Sequence, residues 1–294
     1  MNSPEQTLKR QQKAAAFWEP RIADVVACPD NLHLPRVPEA GRLEEDIITM
    51  HNGIRLHGLS YYGEGNRTML VENKGVHEPQ EERAFMEVLK HLPPKSTMLE
   101  LGAYWAFYSL WFATVVESAT SYMIEPESRR MESGKKNFAL NGKTGHFRRA
   151  WIDHTDCKPP SGTPTVSVDG FCTRYKIEHL SILHADIQGK EVSMLQGARR
   201  MLSGGKIDYI FVSTHSDRHH YNCLDILQAH GYLILASADK RNTYSFDGLI
   251  VAKRGTLNSG PTRLEIAHKS GQPDRERVLG KWIRKLRGLP VKAK

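Results

Sequence analysis

Cysteine is scarce in this sequence, and the few thiols are not spaced as a metal site or a disulfide framework requires. The chain of 294 residues has four cysteines. They stand at Cys28, Cys157, Cys172 and Cys223, with no short paired spacing among them. This arrangement excludes a zinc ribbon and a small disulfide-stapled domain. We therefore expect free thiols, packed in the interior, in a reducing compartment.

Long hydrophobic segments are also missing. No apolar run approaches the roughly 20 residues that a membrane-spanning helix needs. The chain begins with polar residues, and no apolar segment typical of a secretory signal follows them. Internal repeats and low-complexity tracts are absent from the sequence as well. A cytoplasmic protein is therefore the expectation.

The sequence has, in contrast, an excess of positively charged residues. Lysine and arginine number 41 against 33 aspartates and glutamates, which gives a net charge of +8 and a pI near 9.3. Such a balance favours anionic partners, among them phosphates, nucleic acid and an acidic membrane surface. Hydrophobic residues make up 39% and charged residues 25%, as in ordinary globular chains, so wholesale disorder is excluded.

Three regions follow one another along the chain. Residues 1–94 form an N-terminal appendage with a helix, a Pro-rich stretch, a β-hairpin around Asn52-Gly53 and a second helix near residues 78–91. Residues 95–254 form the main domain. Residues 255–294 are a polar linker and a basic amphipathic tail. The apolar stripe of the tail comprises Val278, Leu279, Trp282, Ile283 and Leu286, within a helix predicted over 274–289.

Strands alternate with helices throughout the main domain, which predicts an α/β fold with a parallel sheet covered by helices on both faces. An antiparallel hairpin closes this Rossmann-like sheet. The predicted strands are 97–101, 121–125, 146–152, 180–186 and 207–214, with a short extended piece at 166–168 and hairpin strands at 232–237 and 248–253. The predicted helices are 108–116, 128–140, 191–202 and 221–230.

Two acidic residues stand at the ends of successive predicted strands. Glu100 is followed by Gly102 at the first strand-to-helix turn, where a glycine lets a ligand approach the backbone closely. Glu125 ends the second strand, where a carboxylate can accept hydrogen bonds from both hydroxyls of a ribose. The alternative is that Glu100 only caps a turn and Glu125 is a solvated strand end. The ordered pair favours a ribose-bearing cofactor.

These residues resemble the first two motifs of class I methyltransferases that use S-adenosyl-L-methionine (SAM). The matching segments are Glu100-Leu101-Gly102 with Ser109, and Ile124-Glu125-Pro126. The segment Ala185-Asp186-Ile187-Gln188-Gly189-Lys190-Glu191, with Leu195-Gln196-Gly197-Ala198 after it, looks like the signature of the FkbM family. Val76-His77-Glu78-Pro79 is similar to an upstream segment of that family. The resemblance covers about residues 47–254.

The resemblance implies a methyltransferase fold and SAM as the cofactor. The candidate cofactor contacts are Glu100, Gly102, Ala103, Ser109, Glu125 and Trp151. It also implies O-methylation of a hydroxyl on a sugar, a glycan or a secondary metabolite, and hence a small-molecule or glycan acceptor. Two departures from the family pattern stand out: Ala106 replaces the second glycine of the first motif, and Gln188 replaces an acid near the acceptor side.

Asp186 and His215 end the fourth and fifth predicted strands and are the candidate catalytic residues. In the resembled fold these strands are neighbours, so the two side chains should meet, with His215 as the base that removes the acceptor proton. A divalent metal is the alternative, with Asp186, His215 and either His219 or His220 as ligands, His219 being the chosen third. Asp247, followed by Gly248, is interpreted as a hairpin turn, with a substrate contact as the alternative.

Several alternatives remain open. A nicotinamide-dependent dehydrogenase is disfavoured, because Gly102 stands without the further glycines of that fingerprint. A non-catalytic methyltransferase-like binding module draws its support from Ala106 and Gln188. Nucleic-acid methylation is disfavoured, since no base-flipping tetrad follows the fourth strand. The basic tail at 274–289 either contacts an anionic membrane surface weakly or packs on the protein or on a second subunit of a homo-oligomer.

Overall fold

The computed structural model describes residues 4–274. In this part of the chain the strands are β1 (Leu43–Glu44), β2 (Ile47–Thr49), β3 (Arg55–His57), β4 (Thr97–Leu101), β5 (Thr120–Ile124), β6 (His146–Arg148), β7 (Trp151–Ile152), β8 (Thr165–Val166), β9 (Leu180–Ala185), β10 (Ile207–Thr214), β11 (Tyr232–Ala238) and β12 (Gly248–Arg254). The α-helices are α1 (Pro4–Ala27), α2 (Glu64–Glu72), α3 (Pro79–Leu89), α4 (Phe107–Val115), α5 (Ser128–Leu140), α6 (Val168–Arg174), α7 (Glu191–Gln196), α8 (Arg199–Ser203) and α9 (Asp217–Ala229), and a short 3₁₀ helix covers Pro29–His33.

The central sheet has seven strands in the order β11-β12-β10-β9-β4-β5-β6. β6, β5, β4, β9 and β10 pair in parallel, whereas β12 runs antiparallel to both β10 and β11. The predicted α/β, Rossmann-like sheet with a closing antiparallel hairpin is therefore confirmed. The central strands β4, β9 and β10 are buried along almost their whole length and are mostly apolar, as expected of strands inside a parallel sheet.

Alternate residues of the central strands contribute to two separate cores. Met98 of β4 and Ile182 of β9 pack with α3, α4 and α5 on one face. Their neighbours Leu99 and Leu183 pack with α6, α7, α8 and α9 on the other. Because side chains alternate along a strand, each face of the sheet needs its own layer of helices.

The N-terminal region contains the predicted hairpin, with β2 and β3 antiparallel around Gly53, and a third strand, β1, joins it. The hairpin is fastened to the main domain, since the backbone N–H groups of Arg55 and His57 donate to the side-chain amides of Asn141 and Asn137, each at 3.0 Å. α1 continues through Pro20 as one helix and packs on α2.

Several predicted boundaries are wrong. The strand predicted over 146–152 divides, because the Trp151 N–H donates to the Pro164 carbonyl and β7 pairs with β8 in a separate sheet. The helix predicted over 191–202 breaks at Gly197, where a Cβ would lie 2.7 Å from the Asp153 carbonyl oxygen. α9 begins four residues before the predicted start at residue 221, because Ser216 Oγ caps it by accepting from the His219 N–H. α2 and α6 were not predicted.

The four cysteines are free thiols, as predicted. Cys28, Cys172 and Cys223 are buried, but Cys157 is exposed, contrary to the expectation that each thiol packs inside. Among the helices of the described residues, none has the length and apolar character that crossing a bilayer requires. Apart from its first residue, Asp274, the predicted basic helix lies outside the described residues.

Candidate functional site

A cleft of about 390 Å³ opens at the carboxyl ends of β4, β5 and β9. The chain proceeds from β4 to β5 on one side of the sheet, whereas β9 lies on the other side of β4. Open α/β sheets bind ligands in the crevice at such a reversal of strand order. The wall of the cleft includes Gly102 after β4, Glu125 after β5 and Asp186 after β9.

Gly102 holds the ends of these strands together. Its φ of +75° is a conformation that L residues rarely adopt, and a Cβ there would lie 1.9 Å from the Asp186 carbonyl oxygen. Its N–H donates to the Ile124 carbonyl at 2.9 Å. Only glycine therefore fits between β5 and the loop after β9.

Glu125 is the carboxylate that faces the cleft. One carboxylate oxygen accepts from the Tyr104 N–H at 3.2 Å and the other from the Glu127 N–H at 2.9 Å. Burial raises the pKa of Glu125, although both hydrogen bonds oppose the rise. The two backbone donors fix the carboxylate and leave further lone pairs for a ligand in the cleft.

Of the other predicted cofactor contacts, one lies in the cleft wall and three lie outside it. Trp151 lies in the cleft wall and is 53% exposed, so its ring is free to stack on a ligand. Glu100, Ala103 and Ser109 are buried and do not line the cleft. The Ser109 N–H donates to Glu100 Oε2 at 3.1 Å, so Glu100 caps the start of α4, which is the alternative that the sequence left open.

The wall of this cleft is aromatic and acidic. Tyr62 and Tyr104 line it, and the Arg130 guanidinium lies 4.8 Å from the Tyr104 ring centroid. The charged side chains of the wall are Glu125, Glu127, Asp153 and Asp186 on the acidic side, and Arg130 and Lys190 on the basic side. Such a surface suits a ligand that carries positive charge and a flat ring.

Asp186 and His215 meet at the mouth of the cleft, as predicted. His215 Nε2 lies 3.2 Å from Asp186 Oδ1 and 3.6 Å from Asp247 Oδ2, and its Nδ1 lies 2.6 Å from Glu191 Oε1. Burial lowers the pKa of His215, but hydrogen bonds to Asp186 and Glu191 and the nearby carboxylates raise it to about 10. The ring is therefore an imidazolium at neutral pH, with Nδ1 hydrogen-bonded to Glu191 and Nε2 at ion-pair distance from Asp186 and Asp247.

The predicted metal ligands are not all brought together. His219 Nδ1 lies 3.2 Å from Glu191 Oε2, and His220 is buried between Thr214 Oγ1 at 2.8 Å and Ser237 Oγ at 2.9 Å, so neither reaches Asp186. Among the described residues, the group whose potential ligand atoms lie within 4.8 Å of one another is Asp186, His215 and Asp247. A proton on His215 would compete with an ion at this group.

Asp247 lies beside His215 at the site, although the sequence favoured a hairpin turn over a substrate contact. It immediately precedes β12, and Gly248 of β12 pairs with Thr214 at the end of β10. Burial raises the pKa of Asp247 to about 6, against the opposing charge of His215. The observed sheet explains its position: β12 is antiparallel to β10 and begins where β10 ends, so Asp247 lies beside His215.

A second cavity of about 520 Å³ adjoins the cleft and shares Tyr61, Tyr62 and Gln188 with it. Asp186 lies in the wall of the cleft and Asp247 in the wall of the cavity. The Asp186–His215–Asp247 cluster therefore lies at the junction, where a group bound on one side could react with a group bound on the other.

No family model and no curated protein matches this chain. Solved structures with similar folds include M. capricolum TrmK bound to S-adenosyl-homocysteine, with a TM-score of 0.44, 12% identity, and coverage of 70% of this chain and 83% of that one. The precorrin-6y C5,15-methyltransferase of Geobacter metallireducens has a TM-score of 0.41 at 13% identity, covering 59% and 87%. An rRNA methylase of Streptococcus thermophilus has 0.43 at 8% identity, covering 60% and 96%. These distant likenesses concern the fold alone.

Proposed function

We propose that this protein transfers a methyl group from SAM to a hydroxyl of a small-molecule or glycan acceptor. The observation that carries the proposal is the junction: an acidic, aromatic cleft at the strand ends of β4 and β5 meets a second cavity at Asp186, His215 and Asp247. A sugar, a glycan or a secondary metabolite is the acceptor class that the resemblance of residues 185–191 to the FkbM family suggests.

The residues of the cleft fit SAM in chemistry. Glu125 would accept hydrogen bonds from the ribose hydroxyls, and Trp151 and Tyr104 would cover the adenine. Asp186, at the end of β9, would compensate the positive charge of a sulfonium. When bound, SAM supplies an electrophilic methyl group to the reaction.

The proton of the acceptor hydroxyl leaves to a carboxylate rather than to His215. A pKa of about 10 leaves His215 already protonated, whereas Asp247, with a pKa of about 6, is mostly ionised at neutral pH and faces the second cavity. Asp247 is therefore the base in this proposal. In this proposal His215 is a positioning residue whose charge holds Asp186 and Asp247 at ion-pair distance, in place of the base expected from the sequence.

Isothermal titration with SAM, S-adenosyl-homocysteine and NAD tests the cofactor. We expect SAM and S-adenosyl-homocysteine to bind and NAD not to bind. Replacing Glu125 with alanine should weaken SAM binding about tenfold or more, the scale of a charge-assisted hydrogen bond. Glu127→Ala is the matched control, because it removes an exposed carboxylate from the same wall without touching the strand end.

Binding of NAD alone would overturn the proposal, and so would equal SAM affinities of Glu125→Ala and Glu127→Ala. Transfer of a labelled methyl group from SAM to a panel of hydroxyl compounds tests the reaction. A protein that binds SAM tightly but methylates none of them would match the non-catalytic binding module instead. Asp247→Asn should lower turnover about 100-fold or more and leave SAM affinity nearly unchanged.

A further inference from the structure

The second cavity is built largely by segments outside the central sheet. α1 contributes Phe17, Trp18 and Arg21, and the loop between β11 and β12 contributes Phe246 and Asp247. Phe17 and Phe246 are 51% and 56% exposed, so this wall presents aromatic rings to an incoming molecule. These residues, rather than the sheet, form the wall that an incoming molecule meets.

Arg21 is fixed between two aromatic rings. Its guanidinium carbon lies 3.5 Å from the ring centroid of Phe17 and 3.6 Å from that of Phe246. The two ring centroids are 6.5 Å apart, with the guanidinium carbon between them, and the rings are tilted by 49° to each other. A guanidinium held in this way is pre-organised for bidentate contact with a carboxylate or a phosphate.

The charge of Arg21 is not compensated locally. No carboxylate of the described part of the chain forms an ion pair with it, whereas two lysines of the same wall are paired. Lys269 Nζ lies 2.6 Å from Asp24 and Lys240 Nζ lies 3.5 Å from Asp247. Burial lowers the pKa of Arg21, the direction expected for a cation that lacks a close partner.

The remaining acid of the wall does not oppose an anion. Glu78 accepts a hydrogen bond from the Tyr108 hydroxyl at 3.1 Å, and burial among other carboxylates raises its pKa well above the usual range. Glu78 therefore favours the neutral form. Asp24 and Asp247 each lie next to a lysine, and the charge of Asp247 raises the pKa of Arg21 against burial without forming an ion pair with it.

Asn66 provides a second polar group in the same wall. It is 1% exposed, and both its amide nitrogen and its amide oxygen lack hydrogen-bond partners among the described residues. A buried amide without partners costs stability, so such a group is typical of a ligand site rather than of a plain core. An acceptor hydroxyl, which both donates and accepts, matches it.

We propose that the second cavity selects an acceptor with an anionic group, a carboxylate or a phosphate, which binds the N–H edge of Arg21. The inference rests on the proposed methyl transfer. Phe246, whose ring lies 3.6 Å from the Arg21 guanidinium carbon, is followed directly by Asp247, so the ring beside the anion anchor and the base are consecutive residues. An acceptor held by its anionic end at Arg21 presents its hydroxyl toward Asp247.

Three small probes test this inference by ligand-observed NMR and calorimetry at constant ionic strength: 4-hydroxybenzoate, phenyl phosphate and uncharged benzyl alcohol. We expect the two anions to bind the full chain and benzyl alcohol to bind far more weakly. The tighter of the two anions identifies the group as carboxylate or phosphate. Arg21→Gln should weaken anion binding about tenfold to 100-fold, and the anion affinity of Arg21→Lys should lie between those of wild type and Arg21→Gln.

Arg55→Gln is the matched control, since it removes the same charge from an exposed position outside the cavity. Anion affinities equal in Arg21→Gln and Arg55→Gln, or benzyl alcohol binding as tightly as the anions, would overturn the inference. Titration with S-adenosyl-homocysteine separates the two proposals. S-adenosyl-homocysteine should bind wild type and Arg21→Gln equally, and the proposed function fails if it binds neither. Loss of binding in Arg21→Gln alone would show that this variant is damaged. The anion affinity of Arg21→Lys then tests the role of Arg21.

Discussion

Gly102 provides the sharpest test of how the strand ends build the cleft. Replacing it with alanine introduces two separate costs. The φ of +75° strains an L residue by about 1–2 kcal/mol. In addition, the new Cβ would lie 1.9 Å from the Asp186 carbonyl oxygen, a backbone atom that cannot rotate away. Forcing extra volume into a packed site typically adds about 1–3 kcal/mol.

Gly231→Ala isolates the first cost. Gly231 has a φ of +77°, nearly that of Gly102, but nothing lies within 4 Å of its Cβ position. We therefore expect Gly231→Ala to lose about 1–2 kcal/mol and Gly102→Ala about 2–5 kcal/mol of unfolding free energy. Chemical denaturation measures both, and SAM titration should show weakened binding in Gly102→Ala alone, since Asp186 must move. Equal unfolding free energies for the two variants would refute this account of the turn.

Three further outcomes are expected. The rate of methyl transfer should rise with pH through about 6, as Asp247 ionises, and fall near 10, as His215 loses its proton. A rate that still rises through pH 10 would make neutral His215 the base. Loss of activity with EDTA, restored by a divalent ion, would assign the cluster to a metal. Glu100→Gln should leave SAM affinity within about twofold, because Glu100 caps α4 outside the cleft; a large loss in titration would return it to the cofactor site. Asp274→Ala should lower unfolding free energy by about 1–3 kcal/mol, since Asp274 Oδ2 accepts from the Asp239 N–H at 2.8 Å, whereas Asp225→Ala, at an exposed position, should change it little.

The strand ends of the cleft could be predicted because they are local in sequence. A buried apolar run followed by Glu100-Leu101-Gly102, and another ending in Glu125, places polar groups at one edge of a parallel sheet whatever the rest of the chain does. The pairing of strands is not local. The run over 146–152 has one apolar pattern, but Trp151 pairs with β8 instead of continuing β6, and nothing in the pattern distinguishes the two partners.

The positions of the histidine side chains also could not be predicted from local sequence. Sequence spacing placed His219 and His220 near His215, but the cap at Ser216 starts α9 there and directs the two rings to Glu191 and to the interior. The residue at which α9 begins therefore determines whether these histidines can join Asp186 as metal ligands. The first residue of a helix is among the least certain features of a sequence-based prediction. The basic tail from residue 275 onward stays a prediction.

The acceptor side of the site depends on contacts that no local pattern encodes. Arg21 and Phe246 are separated by most of the chain, and neither residue belongs to a sequence pattern that predicts their contact. Their stacking requires α1 to lie against the loop that joins β11 to β12, and Asp274 bonds that loop at Asp239 and Asn242. If the proposed function holds, the strand ends of the sheet carry the methyl transfer, whereas the N-terminal helix and the hairpin loop select the acceptor. Substitutions in these two segments should then change which acceptor is methylated before they change SAM binding.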